Sequence, residues 1–341
     1  MKERELNKWL IWVICCWVGA MPIANGQKPV YLNEITVAQD GTGSFATIQE
    51  AVNSVRDLLQ QRVIIHIRKG VYHEKLIIPS WKTKISLIGE DKENTIITNS
   101  DYSGKTNLEG KDAFGKDKFS TYTSYTVLVQ GNDFIAENLT IENAAGAVGQ
   151  AVALQVEGDR CEVKNCKILG HQDTLYAATE NSRQLYLDCY IEGTTDFLFG
   201  EATVVFKNCI IKSLANSFIT AAATTPRQAY GFVLIGCRLI ADSSVHKVYL
   251  GRPWRPYAKT VYIQCEMGSH IAPEGWNPWK GDAMWPDKEK TAYYAEYGNS
   301  GAGASISNRV GWANQLTDKD AQQYTVANIL GGKDNWNPIE K

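Results

Sequence analysis

The chain of 341 residues has only five histidines, scattered without the spacing that metal ligation needs, so no metal and no cofactor is expected. It contains no G-x-S-x-G; the nearest approach, GNSGA at residues 298–302, misses the final glycine, which disfavours a serine esterase. Excess charge is absent too: 35 Lys+Arg against 37 Asp+Glu leave no basic field to collect nucleic acid. Leucine-rich-repeat spacing is missing, and between the strand-like runs of the central region nothing reads as a helix. What is present is an ordinary globular composition, 44% hydrophobic and 21% charged, enough for a sizeable core.

The N-terminus reads as a secretory signal peptide over residues 1–26. Lys2, Arg4 and Lys8 make a basic start, residues 9–20 are apolar but short for a bilayer span, and Ala24-Asn25-Gly26 supplies small residues for cleavage. An uncleaved anchor is the alternative. A lipoprotein at Cys15 or Cys16 is disfavoured by bulky Val13 and Ile14. Removing three basic and two acidic residues with the leader leaves 32 Lys+Arg against 35 Asp+Glu, a formal charge of -3. Residues 27–341 are then one exported domain with no transmembrane span, secreted, periplasmic or held at the cell surface, and expected as a monomer.

Six cysteines remain after cleavage, and five of them mark a repeat. The segments VKNCKI, YLDCYI, FKNCII, LIGCRL and YIQCEM align on Cys166, Cys189, Cys209, Cys237 and Cys265, preceded by IAENLTI with Asn138 in the cysteine's place. These positions are 28, 23, 20, 28 and 28 residues apart, a period that signals a solenoid. Each unit is rich in Val, Ile, Phe and Tyr at strand length, so the expected fold is all-β, a single-stranded parallel β-helix with small thiols stacked in its core. Cys189 and Cys209 are the pair best placed for a disulfide. TIQEAVNSVRDLL, with Thr47 and Glu50 as a capping box, reads as a helix closing the N-terminal end. After Cys265 the repeat fades into a loop-rich tail with a short helix near residues 318–324, and residues 102–123 read as one large projecting loop.

The period brings polar residues together. Gln150, Asp173 and Asp196 are spaced by 23 and 23, and each aspartate follows a ladder cysteine by seven residues. Two carboxylates therefore stack about one strand spacing apart, roughly 4.8 Å. Asp196 lies in IEGTTDFLFG, otherwise a buried strand, and burying a carboxylate is costly without a partner. Arg252, 13 residues before Cys265 as Asp196 is 13 before Cys209, shares its phase and could hold it ionised. Gln150 and Gln172 offer amide donors for an oxyanion, and Tyr176, Phe197, Phe199, Trp254 and Tyr257 give the groove the aromatic lining that a sugar ring favours. Like charges this close cannot both ionise easily, so one carboxyl becomes an acid and the other a base or nucleophile.

At these residues the chain closely resembles the pectin methylesterases, or pectinesterases. The matching stretches are DGTGSFATIQEAV, GVYHEKL, GQAVALQV, GHQDTLYA, GTTDFLFG, LGRPWRPYAKTVY, PEGW and AEYGNSGAGA, spread in family order over most of the mature chain. The resemblance implies a right-handed parallel β-helix and hydrolysis of galacturonate methyl esters in pectin. It makes Asp196 the nucleophile, Asp173 the general acid and then base, Gln150 and Gln172 the oxyanion donors, Arg252 the residue that orients and ionises Asp196, and Trp254 a sugar contact. Two departures, Glu201 where plant members often carry a neutral residue and the slightly acidic mature chain, bear on methylation pattern and processivity. A pectate lyase or polygalacturonase would share the solenoid, but a lyase needs a calcium-binding carboxylate cluster, which is not found. A non-catalytic pectin-binding solenoid could lose Asp173, Asp196 or Arg252, yet all are present; an esterase or thioesterase acting on another substrate through the same site is the runner-up. His171 reads as a structural hydrogen-bonder.

Overall fold

The computed structural model describes residues 33–340, and the leader expected over residues 1–26 lies outside them. Successive short strands form three parallel sheets, here A, B and C, of eleven, eight and seven strands among the described residues. One coil shows the plan: Cys161–Lys164 lies in sheet A, Lys167–Leu169 in B and Leu175–Ala177 in C, before Arg183–Leu187 returns to A. Every strand pairs with the equivalent strand of the next coil, for example Ile168 with Ile191 and Leu175 with Leu198. This is the parallel β-helix that the repeat predicts.

Side chains alternate across each strand. Leu154, Leu175 and Leu198 consequently line up in successive coils, all fully buried. The cysteines extend that interior, and all six described ones are free thiols, so Cys189 and Cys209 are not bridged. Each ladder thiol instead donates to a carbonyl, Cys189 to Val163 O at 3.3 Å and Cys209 to Tyr186 O at 3.4 Å.

One ladder assignment is corrected. Thr140 pairs with Lys167, so Leu139, fully buried, stands opposite Cys166, and Asn138 belongs to the preceding column. That column is the corner between sheets A and B: Asn138, Asn165, Asp188, Asn208, Gly236 and Gln264 all have φ between 47° and 63°. A single left-handed residue turns the chain there, a conformation that Gly, Asn and Asp adopt most readily. Asn165 Nδ2 also donates to Asn138 Oδ1 at 2.6 Å, coupling successive corners.

The N-terminal helix α1 spans Ile48–Ser54 and buries Ile48, Ala51 and Val52. Thr47 Oγ1 accepts from the Glu50 amide at 3.2 Å, but the cap is completed by Glu74, whose carboxylate takes the Ile48 and Gln49 amides, each at 2.9 Å. The helix stops before Leu59 because Val55 turns extended. The solenoid continues beyond Cys265, where a fade-out is expected: Tyr293–Tyr297 adds a strand to sheet A against Lys259–Ile263. Two short helices follow, α2 (Asp318–Ala321), capped reciprocally by Thr317 and Asp320, and α3 (Val326–Leu330). α3, at five residues too short to show a helical period, packs Ile329 and Leu330 against Leu185, Val205 and Val233 on the outside of sheet A. The loop over 102–123 has one bridge, Thr106 to Lys118, and is tied down by Asp101, which accepts from Lys75 and Lys105 at 2.9 Å each.

Candidate active site

Asp173 and Asp196 each precede a strand of sheet C by two residues, and those strands pair Leu175 with Leu198. The two carboxyls therefore occupy adjacent coils. Both residues sit in left-handed backbone, φ 64° and 50°, an uncommon conformation for a side chain this close to a sheet. The sheet holds them there through Asp173 N to Thr195 O at 3.1 Å and Asp196 N to Phe218 O at 2.8 Å. They are 8% and 6% exposed, enough for a substrate to touch and too little for water to solvate them.

Arg252 meets Asp196 through two parallel bonds, Nε to Oδ1 at 2.9 Å and Nη2 to Oδ2 at 2.6 Å, the fork geometry that gives Arg–carboxylate pairs their strength. The pairing agrees with the sequence expectation, but the phase does not. Thr220 pairs with Leu198 and Gly251 with Thr220, so Arg252 lies over Phe199, three positions past Asp196, and its long side chain reaches back. The guanidinium is sandwiched between Phe218, at 4.0 Å from the ring centre, and Trp279, at 3.6 Å.

This environment separates the two carboxyls. Burial, then repulsion from Asp196, pushes Asp173 up to about 8, with Arg252 only partly opposing. Burial also raises Asp196, but the hydrogen bonds and charge of Arg252 pull it back. At neutral pH the pair can thus offer one protonated carboxyl and one carboxylate, an acid beside a nucleophile.

Gln150 is exposed and Gln172 half-buried, and they form a parallel bridge to each other. Gln150 therefore stacks on Gln172 rather than on Asp173, because Leu154 pairs with Leu175 and the coil is shorter than 23 residues here. Along the outer face of sheet C, Tyr176 and Phe199 stack with centroids 4.5 Å apart, and Trp254 meets them edge-on at 6.5 and 5.8 Å. Phe197 is corrected: it lies before the strand Leu198–Gly200, just after the left-handed Asp196, so the pleat that turns Phe199 outward does not extend to it; it is fully buried in the core and has no surface to offer a substrate. Tyr257 is 43% exposed and joins none of these ring contacts. His171 bonds through its carbonyl, to Thr174 and Thr194, while its buried Nδ1 has no partner.

Sequence reasoning missed Tyr122, which tilts onto Tyr176 at 5.8 Å, as well as Phe218 and Trp279. Trp279 was legible only as part of a Trp-rich tail, with nothing to say which ring would fold back. Glu201 accepts from the Tyr176 hydroxyl at 3.4 Å, and burial raises its carboxyl. Among the described residues no group of three or more His, Cys, Asp or Glu could hold a metal ion, and no helix is long and apolar enough to cross a membrane.

Fold and site together define the class: a parallel β-helix carrying a buried aspartate pair, an arginine fork and an aromatic groove. The pectinesterase family model matches residues 34–333, and the chain belongs to that family. Among curated proteins it is 39% identical over 328 residues to probable pectinesterase/pectinesterase inhibitor 23 of Arabidopsis thaliana, covering 92% of this chain and 54% of that protein. It is 38% identical over 312 residues to pectinesterase 2.2 of Solanum lycopersicum, covering 87% and 54%. The chain spans about half the length of these curated relatives. Among solved structures it matches pectin methylesterase from carrot with a TM-score of 0.78 at 36% identity, covering 88% of this chain and 93% of that one. A pectin methylesterase in complex with a hexasaccharide matches with a TM-score of 0.76 at 31% identity, covering 89% and 98%.

Proposed function

We propose that this chain hydrolyses methyl esters of galacturonate units in pectin, releasing methanol and leaving free carboxylates on the polymer. The observation that carries the reading is the Asp173–Asp196 pair, with Asp196 held by the Arg252 fork, in a chain of the pectinesterase family. An Asp196 carboxylate oxygen attacks the ester carbonyl carbon, and the carbonyl π pair moves onto oxygen. Gln150 and Gln172 amides donate to that oxyanion. As the carbonyl re-forms, the C–O bond to methoxide breaks and Asp173 gives it a proton, so methanol leaves. The product is an anhydride between Asp196 and the galacturonate. Asp173, now a carboxylate, takes a proton from water, whose oxygen attacks the galacturonyl carbon of the anhydride. Asp196 leaves as carboxylate, Asp173 is again protonated, and the site is restored.

Tyr176, Phe199 and Trp254 serve as the apolar wall for the sugar rings. The polymer is the partner, and the runner-up, another ester on the same catalytic pair, is served less well by this wall. Residues 1–26 are read as a leader removed on export, which a mature N-terminus at Gln27 would support and an intact Met1 on the exported protein would refute.

The test is methanol release from highly methylated pectin by the mature chain, with viscosity followed in parallel and Asp196→Asn as control. Methanol with viscosity retained, absent in the variant, is the expected outcome. Falling viscosity with new reducing or unsaturated ends and no methanol would mean a depolymerase.

A further inference from the structure

Behind the arginine fork lies a second cation that the chemistry above does not use. Lys288 is buried with its side chain wholly out of solvent, a placement that lysine tolerates only when paired. Its ammonium donates to Asp282 at 2.8 Å and to the Trp254 carbonyl at 3.4 Å, and stands 4.4 Å from the centre of the Trp279 ring. The same ring carries the Arg252 guanidinium at 3.6 Å. Trp279 itself is in left-handed backbone, φ 53°, a conformation that a bulky residue keeps only where its surroundings enforce it. Asp282 also accepts from the Met284 and Trp285 amides at 3.1 and 3.2 Å, so one ion pair organises the loop that presents Trp279.

Building on the esterase reading, we infer that Lys288 is a positioning residue: by clamping the Trp279 loop to the segment bearing Arg252, it fixes the arginine fork on Asp196 and adds a second positive charge behind the nucleophile. The groups that bear electrostatically on Asp196 are Asp173, Arg252, Lys288 and Tyr294; those that bear on Lys288 are Asp282, Arg252 and Arg255. Lys288 lowers the Asp196 carboxyl against the upward push of burial. Losing the charge therefore raises Asp196, and the acid limb of kcat/KM moves to higher pH.

The experiment measures methanol release from highly methylated pectin across pH for the mature wild type, Lys288→Met and Lys288→Arg. A carbon NMR titration of the Asp196 carboxyl, assigned with Asp196→Asn, runs alongside. Lys288→Met should lose roughly tenfold in kcat with KM little changed, an effect the size of one modest transition-state interaction. Its acid limb and Asp196 titration should both rise, and Lys288→Arg should restore them. A folded Lys288→Met with unmoved limb and titration, or an arginine variant equally impaired without rescue, overturns the proposal. Should Lys288→Met not fold, Asp282→Asn keeps the cation while loosening the loop; it should lower kcat, and an unchanged kcat overturns the clamp. Wild type without methanol release would overturn the esterase reading instead, and the NMR titration still decides the role of Lys288.

Discussion

Two ladders of like residues run through the same solenoid, one of thiols and one of carboxyls. The thiols of Cys166, Cys189, Cys209, Cys237 and Cys265 continue for five coils, all buried. The carboxyl ladder has two rungs, Asp173 and Asp196, and ends where Asp196 N meets the carbonyl of Phe218, the residue whose ring covers Arg252. Burial pushes the Cys166 and Cys209 thiols up, which only keeps them neutral, so each added rung is another well-packed side chain. The same burial makes each added carboxylate costlier, both through desolvation and through its neighbour's charge. A repeat can therefore extend a neutral ladder indefinitely, whereas a charged one persists only where a fork such as Arg252 supports it and where its discomfort serves a reaction.

The comparison breaks most sharply at Asp196. Asp196→Asn keeps size and shape but removes the nucleophile, and the loss of turnover should be at least about 10⁴-fold, the scale seen when a nucleophile is removed from a preorganised site. Methanol release under single-turnover conditions measures it. Retention of more than a few per cent of wild-type turnover would mean that the carboxylate at this position is not the attacking group.

Asp173→Asn comes next, with opposite effects on activity and stability. Turnover should fall by about 10² to 10⁴, the usual worth of a general acid–base. The folded carboxyl titrates at about 8, above the ordinary 3.8, so the native state holds its proton more tightly than the unfolded chain. Between those two values the native state binds more protons, and its stability falls as pH rises. The contribution is fully present below the ordinary value and gone above the folded one. Asparagine carries no such proton, so melting temperatures of variant and wild type should diverge as pH is raised toward 8, with the variant the more stable. Parallel melting curves across that range would contradict the assignment. The same titration places the alkaline limb of activity near 8, where the proton for methanol is lost.

Much of this was legible because a β-helix converts sequence spacing into contact. The Asp173–Asp196 stack follows from a shared phase with Cys166 and Cys189, and the structure keeps that phase because Ile168 pairs with Ile191 and Leu175 with Leu198. Where coil length varies, counting misleads. Gln150 slips onto Gln172, Asn138 turns out to be a corner and Leu139 the core rung, and Arg252 reaches its partner by side-chain length rather than by register. Phe197 departs from its expected place for a simpler reason: counting by twos from Phe199 puts both rings in the groove, but the strand begins only at Leu198, and after the left-handed Asp196 alternation does not apply, so Phe197 joins the core. Trp279, Lys288 and α3 belong to loops and ends, where no period links sequence to space. There the decisive contacts are single ion pairs and ring faces, such as Lys288 with Asp282, which have no repeat to announce them.

The smallest expected effect tests the neutral ladder. Cys209 is fully buried, and its thiol donates to Tyr186 O while packing between its neighbours in adjacent coils. Cys209→Ala removes one sulfur and leaves a small void that a parallel stack cannot collapse into, because the ladder on either side fixes the strand spacing. The cost should be about 1–2 kcal/mol, within the range for a small core truncation. Because the carboxyl pair lies on sheet C and the thiols follow the corner into sheet B, kcat and KM should not move. Chemical denaturation with methanol release as the functional control separates the two outcomes. If Cys209→Ala lowered kcat as well as stability, the thiol column would be transmitting strain to the aspartates, and the two ladders would have to be treated as one mechanical unit.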